Sequence, residues 1–124
     1  MLPAAQRIVR ARAYIEESNR HALETVFTMF AEDATYKSSQ FGSFAGRPAI
    51  EAMMRTFFGK FPDVFWEVDV YRPLDDGDVE FSFTMTATDA RSGAAMVRRG
   101  TERISFDVDD RIRHVSVEIA AGDG

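Results

Sequence analysis

Along residues 4–17, Ala4, Ile8, Ala11 and Ile15 recur at helical spacing, with Tyr14 at the edge of the stripe. That pattern predicts an amphipathic helix packed by one face. The triplet SNR at 18–20 interrupts it, and Asn19 is a candidate cap for the next helix. Leu23, Val26, Phe27 and Phe30 then follow the i, i+3, i+4, i+7 rule and predict a second helix ending at Phe30. From Ala34 to Phe41 the chain alternates weakly, placing Tyr36, Ser38 and Gln40 on one face of a strand. FAGRPAI (44–50) opens a third helix, with Pro48 in the first turn, where its missing N–H had no partner to lose. Ile50, Met53, Met54, Phe57 and Phe58 give that helix a wide apolar face, and Gly59 and Pro62 end it.

From Val64 onward the period is two. Val64, Trp66, Val68 and Val70 alternate with Glu67, Asp69 and Tyr71. Val79, Phe81, Phe83, Met85 and Ala87 form the apolar side of a second strand. Met96, Arg98, Gly100, Glu102, Ile104 and Phe106 share one face of a third, and Val115, Val117 and Ile119 one face of a fourth. DDGD, DARSG and DVDD between them are turn chemistry. The order is three helices with one early strand, then a four-stranded antiparallel meander, which makes an α+β domain with helices on one face of the sheet. A strongly curved sheet with helices across its open side forms a cone, and the inside of the cone is the natural pocket. One domain is expected over 1–124, with 1–3 and 120–124 frayed.

Composition sharpens this picture. Apolar residues make up 45% of the chain, with eleven Phe and six Met, so part of the apolar content is available to line a pocket or an interface. A net charge of -5 argues against nucleic-acid binding, which needs a cationic face. The chain has no cysteine, hence no disulfide or thiolate chemistry. It has no apolar run of membrane-spanning length and no apolar signal core, so no membrane partner and a cytoplasmic location are expected. The acidic turns lack the spacing of a calcium loop, no His and carboxylate set has metal-ligand spacing, and FGSFAG lacks the context of a phosphate loop. No metal and no cofactor are expected.

YIEESN, FAEDATY, GRPAIEAMMRTFF, FPDV and RISFDVDDRI together resemble the NTF2-like, SnoaL-like cone fold over nearly the whole chain. Within that superfamily the chain is similar to the ketosteroid isomerases. The resemblance implies a tyrosine on the first helix and an acidic residue on the fourth strand that together hold an oxyanion, with an aspartate on the first strand as proton-moving base. Tyr14 in AYIEESN matches the tyrosine, and Glu102 in GTERISF matches the acid, one methylene longer. The base position, three residues beyond DAT, falls on Ser38. A neutral hydroxyl is too weak a base near pH 7 without a histidine or carboxylate to activate it. His21 lies in the turn before the second helix, and His114, out of phase with Val115 and Val117, faces outward. The chain therefore departs from the steroid-isomerase route.

Glu102 shares its face with Met96, Ile104 and Phe106, where a carboxyl resists ionising and can donate a hydrogen bond. The alternative is an ion pair with Arg98, about 13 Å back along the strand. Arg98 could anchor an anionic group at the mouth or cover apolar surface with its stem. Tyr14 either donates into the cone or is an amphipathic tyrosine with a wet tip. Phe27, Tyr36, Met54, Phe57, Trp66, Phe83, Met85 and Val115 either wall an apolar cavity or fill it.

The expected function is binding of a hydrophobic, oxygen-bearing small molecule. Acid–base chemistry of the isomerase, dehydratase, cyclase or hydrolase type would be carried by Tyr14, Glu102 and Ser38. The alternative is a non-catalytic binding or docking domain. A homodimer through the outer sheet face of Thr84, Thr86, Arg99, Arg103, His114, Ser116 and Glu118 is expected under either reading. An open cavity of roughly a few hundred Å³ favours chemistry, and a cone plugged by Phe and Met favours docking.

Overall fold

Arg7, Ala11, Tyr14, Ile15 and Ser18 are buried along one side of α1 (Ala4–Asn19) in the computed structural model, which describes residues 3–120. Then follow α2 (Leu23–Thr28), β1 (Phe30–Ser38), β2 (Gly42–Ala45), α3 (Arg47–Lys60), β3 (Phe65–Glu67), β4 (Tyr71–Pro73), β5 (Val79–Thr88), β6 (Ala95–Phe106) and β7 (Ile112–Ile119). One curved sheet runs in the order β2-β1-β7-β6-β5-β3, with β4 also paired to β5. α1 packs on β3, β4 and β5, and α3 packs on β1 and β2, so the two long helices cover opposite ends of the concave face. Phe27, Phe30, Ile50, Phe81 and Ile104 are fully buried between the layers. No helix among the described residues is long and apolar enough to cross a membrane.

The inward faces read from the alternation hold. Val79, Phe81, Phe83, Met85 and Ala87 of β5 are all buried. They lie opposite Ile104, Glu102, Gly100, Arg98 and Met96 of β6, respectively. Ile119, Val117 and Val115 of β7 lie opposite Gly100, Glu102 and Ile104. α3 begins at Arg47 with Pro48 in its first turn, as expected, after Gly46 at φ 90°, a left-handed conformation that favours glycine.

Five features differ from the pattern-based expectation. Phe30 is not the last residue of the second helix; it opens β1, opposite Ile112 of β7. Phe44 and Ala45 do not open the third helix; they close a hairpin in which β2 pairs with β1. The sheet is not wholly antiparallel, because β1 runs parallel to β7. Asn19 does not cap α2, whose N-cap is Ala22. Instead the Asn19 side chain donates to the Trp66 carbonyl at 2.9 Å and accepts from the Trp66 N–H at 2.8 Å, standing in for a missing strand neighbour on the edge strand β3.

The fifth feature is the stretch from Val64 to Tyr71, which is broken into two strands. Trp66 faces Met85 and Tyr71 faces Phe81, so five steps on one side match four on the other. The extra residue reverses the phase. Tyr71 stacks on Phe81 at 4.9 Å, while Val70 is 60% exposed.

On the outer face, Arg103 is held by Asp78 and Asp76, and Asp78 also accepts from the Ser105 hydroxyl at 2.9 Å. The His114 ring contacts the Thr35 hydroxyl at 2.6 Å. Of the ends expected to fray, residues 1–2 and 121–124 lie outside the described residues. Pro3 accepts from the Gln6 and Arg7 N–H groups, and Ala120 donates to the Arg99 carbonyl.

Gly100 matters to the concave face because a side chain there has no room. A Cβ would sit 2.5 Å from the Glu118 carbonyl oxygen and 2.8 Å from the Phe83 ring. The Phe83 ring thus lies over bare backbone. Gly100→Ala is expected to lower unfolding stability by about 1–3 kcal/mol through overpacking. Urea denaturation checks this, with a substitution at exposed Gly59, where a Cβ meets nothing within 4 Å, as the control.

Candidate functional site

Glu102 occupies the middle of one row that crosses the sheet. Ser38, Val117, Glu102, Phe81 and Tyr71 are successive register partners on β1, β7, β6, β5 and β4. Its lateral neighbours are therefore Val117 and Phe81, and along its own face they are Gly100 and Ile104. None of these offers a charge. The residue is 4% exposed, and its Oε2 is buried without a hydrogen-bond partner among the described residues. Burial pushes the carboxyl up from an ordinary 4.5 to about 8. At neutral pH it carries its proton and is a donor.

α1 brings Tyr14 over this row. The Tyr14 ring is 4% exposed and meets Phe30 edge-on at 5.7 Å. Tyr36, on β1 one alternation before Ser38, is partly buried. Neither phenol makes a hydrogen bond among the described residues. Burial first, then the Glu102 charge, raises both phenols above their ordinary value, and Tyr36 adds a smaller rise at Tyr14. Three protonated oxygen heads thus face one hollow.

That hollow has a cavity volume of about 60 Å³. α1 gives Tyr14, Ile15 and Ser18. β1 and its turn give Tyr36, Ser38, Gln40 and Phe41. α3 gives Met53, Met54, Phe57 and Phe58. The strands give Trp66, Phe83, Met85, Glu102, Val117 and Ile119. Among the described residues no Asp, His, Lys or Arg lines it, and Glu102 is the only titratable one besides the two phenols. The space holds a few waters. It is far below an open cavity, because Phe57 gathers Phe41, Phe58, Phe61 and Trp66 around itself at centroid distances of 5.2 to 6.2 Å.

Of the residues singled out from sequence, Tyr14, Ser38, Glu102, Tyr36, Met54, Phe57, Trp66, Phe83 and Met85 meet in this lining. Phe27, Val115 and Arg98 do not. Phe27 and Val115 lie within the core, at 1% and 0% exposure. Arg98 sits two register rows from Glu102, opposite Met85, and donates to the Val97 carbonyl at 3.1 Å. No ion pair links it to Glu102.

Ser38 lines the hollow, but its Oγ accepts from the Gln40 and Phe41 N–H groups, both at 3.2 Å. Both lone pairs are thereby engaged in closing the hairpin turn, so this hydroxyl has no capacity left to act as a base. Ser39 is also committed: its N–H donates to the Val117 carbonyl, and its Oγ accepts from the Ile119 N–H.

Ile15, Ser18, Gln40, Phe41, Met53, Phe58, Val117 and Ile119 line the hollow without having been singled out as site residues. The signal was present for most: Ile15, Met53, Phe58, Val117 and Ile119 belong to the apolar faces read from periodicity. Ser18 stands four residues after Tyr14 and donates to its carbonyl at 2.7 Å, so it rides on the same helix face.

A curved sheet with helices across its hollow face and a polar cluster inside defines an NTF2-like fold. Residues 11–115 match the SnoaL-like domain, and the chain belongs to that family. Solved structures share the fold at low identity. SalBIII, an epoxide hydrolase/cyclase-like enzyme with a role in pyran ring formation in polyether salinomycin, is 16% identical with a TM-score of 0.89, over 99% of this chain and 97% of that one. AclR, a candidate hydroxylase from Streptomyces galilaeus, is 20% identical with a TM-score of 0.81, over 98% and 93%. A protein from Catenulispora acidiphila with a ketosteroid isomerase-like fold is 13% identical with a TM-score of 0.80, over 92% and 87%. A comparison with curated proteins finds no match.

The raised Glu102 carboxyl sets a direction for stability against pH. Below about 4.5 the group is protonated both folded and unfolded, and its neutral burial costs nothing through ionisation. Between about 4.5 and 8 only the unfolded chain ionises, so stability falls as pH rises, at about 1.4 kcal/mol per unit. Above about 8 the loss is complete. Glu102→Gln removes this titration, so urea unfolding at pH 5 and pH 8 should show a smaller drop in the variant than in the parent.

Proposed function

We propose that the chain binds an organic molecule that carries an uncharged oxygen and polarises that oxygen by hydrogen bonding, in acid-type chemistry of the isomerase, dehydratase, cyclase or hydrolase kind. The observation that carries this is the buried Glu102 carboxyl, whose Oε2 has no partner among the described residues, beside the Tyr14 phenol in one hollow. A fold that needed only a plug would place an apolar residue there, because an unpaired buried polar group costs about 1–3 kcal/mol. The small volume is by itself the outcome expected of a docking domain; the three polar heads weigh against that reading, since they have no structural use in a plug.

The ligand oxygen takes hydrogen bonds from the Tyr14 hydroxyl and the Glu102 carboxylic acid. As negative charge develops on that oxygen, both bonds strengthen, and the largely apolar walls magnify the effect. Tyr36 stands as a third donor, and Ser38 keeps the turn in place. No lining residue is an ionised base at neutral pH, so the nucleophile is water or a hydroxyl that the ligand itself carries: its bond to carbon forms as the bond from that carbon to the polarised oxygen breaks, Glu102 gives its proton to that oxygen, and the resulting carboxylate takes the proton the nucleophile sheds. This fits a cyclase- or hydrolase-like reaction better than proton shuttling next to a carbonyl. The family membership and the epoxide hydrolase/cyclase-like neighbour support small-molecule chemistry of this kind.

Binding of p-nitrophenol tests the site, read through the fluorescence of Trp66, the chain's one tryptophan, which lines the hollow. Tyr14→Phe should weaken binding by about tenfold, the loss of one hydrogen bond of roughly 1–1.5 kcal/mol. For p-cresol, whose hydroxyl stays protonated up to about pH 10, affinity should fall as pH rises through about 8, where Glu102 ceases to donate. Unchanged affinity in Tyr14→Phe removes the oxyanion role.

A further inference from the structure

The inner hollow, at about 60 Å³, holds only the polar end of an organic ligand. The rest of such a molecule needs somewhere to go, and the fold supplies one place. An outer groove of about 580 Å³ lies between the β1–β2 turn and α3. Phe41, Met53 and Phe57 line both spaces, so the same three side chains form the wall between them. Phe41 is 52% exposed and is held mainly by an edge-on contact with Phe57 at 5.6 Å. Of the three shared side chains, Phe41 is the one on a turn and the most exposed, so it is the weakest part of that wall.

Beyond this wall the groove is apolar, floored by residues such as Phe44 and Ala52, and Lys60 is its one charged lining residue. The Lys60 ammonium lies 5.4 Å from the Phe61 ring centroid. It forms no ion pair among the described residues, although Asp89 feels its charge. Met53 and Lys60 stand seven residues apart on α3, a run of about 10 Å along the helix axis.

We propose that this groove is the tail subsite of the same ligand, and that the ligand is an elongated molecule with a neutral oxygen at one end, an apolar chain, and an anionic group at the other. The oxygen enters the hollow past Phe41, the chain lies along α3 between Met53 and Lys60, and the anion meets Lys60. This rests on the reading of the inner site proposed above and adds the shape and charge of what that site takes.

The test uses ω-hydroxydecanoate, ω-hydroxyhexanoate, decane diol and p-nitrophenol as probes of the intact chain, with Trp66 fluorescence and calorimetry as readouts. The longer hydroxy acid should bind at least about tenfold more tightly than the shorter one, because the added methylenes leave water. Ala52→Glu, on an exposed helix position in the groove, should weaken ω-hydroxydecanoate by about tenfold and leave p-nitrophenol within about twofold. Lys60→Glu should weaken ω-hydroxydecanoate by about tenfold and leave the uncharged diol within about twofold. Circular dichroism verifies that both variants fold. Tyr14-dependent binding of p-nitrophenol together with affinity that ignores chain length overturns the tail subsite alone. Equal loss of the acid and the diol in Lys60→Glu overturns the anionic end. Failure of p-nitrophenol to bind overturns the inner-site reading on which the subsite rests.

Discussion

Keeping a carboxyl in an apolar row is the constraint on which the site depends. Glu102 is flanked across the sheet by Val117 and Phe81, and its Oε2 meets no donor among the described residues. Ionising it there would strand a charge far from water, so the side chain stays a neutral acid. Placing Arg98 beside it would have removed the effect, since a guanidinium within ion-pair distance lowers a carboxyl pKa. The strand geometry prevents this: Arg98 is on the same face but four residues away. What looks like a defect in packing is a donor kept protonated by its surroundings.

The sheet positions that donor, and its irregularities are what make the concave face usable. β5 is paired on its outer side by two short strands instead of one, with an extra residue between them, so Trp66 and Tyr71 both point inward. Asn19 fastens the Trp66 backbone to the end of α1, the helix that also carries Tyr14. The wall and the phenol are thus tied through one helix. On the opposite side, the parallel pairing of β1 with β7 brings Tyr36 and Ser38 into the rows of Val115 and Val117. Gly100 contributes by absence: the Phe83 ring lies where a side chain would have been.

Periodicity made much of this legible. Period two along β5, β6 and β7 fixed which residues face inward, and Glu102 was visible as the carboxyl among them. The helical stripe of α1 brought Tyr14 to the same side. Depth was not legible: Phe27 and Val115 have inward-facing patterns like Phe83 and Val117, yet they lie within the core. Whether an inward residue meets the hollow depends on which helix covers it, and that is a non-local property. Register was equally hidden. The break at 68–70 reverses the alternation through one added residue, and β2 is too short to show a period of its own. The roles of Ser38 and Asn19 are hydrogen bonds to backbone groups, two to three residues away for Ser38 and 47 residues away for Asn19. Residue type alone does not distinguish such roles from catalysis or helix capping.

The crowded aromatic cluster follows from the same electrostatic requirement. A hydrogen bond from a neutral acid or a phenol gains strength when water is absent, and a wide open cone would admit water to Glu102 and lower its pKa. Phe57 and its four ring neighbours keep the hollow small, with room for only a few waters. Ring contacts of this kind are individually weak, about 0.5–1.5 kcal/mol beyond the area they bury. On the proposed reading, a ligand that replaced the Phe41–Phe57 contact with its own apolar surface would lose little in doing so. The weakest contact in the wall is thus a side-chain one, and it is separate from the backbone that aims Tyr14 and Glu102.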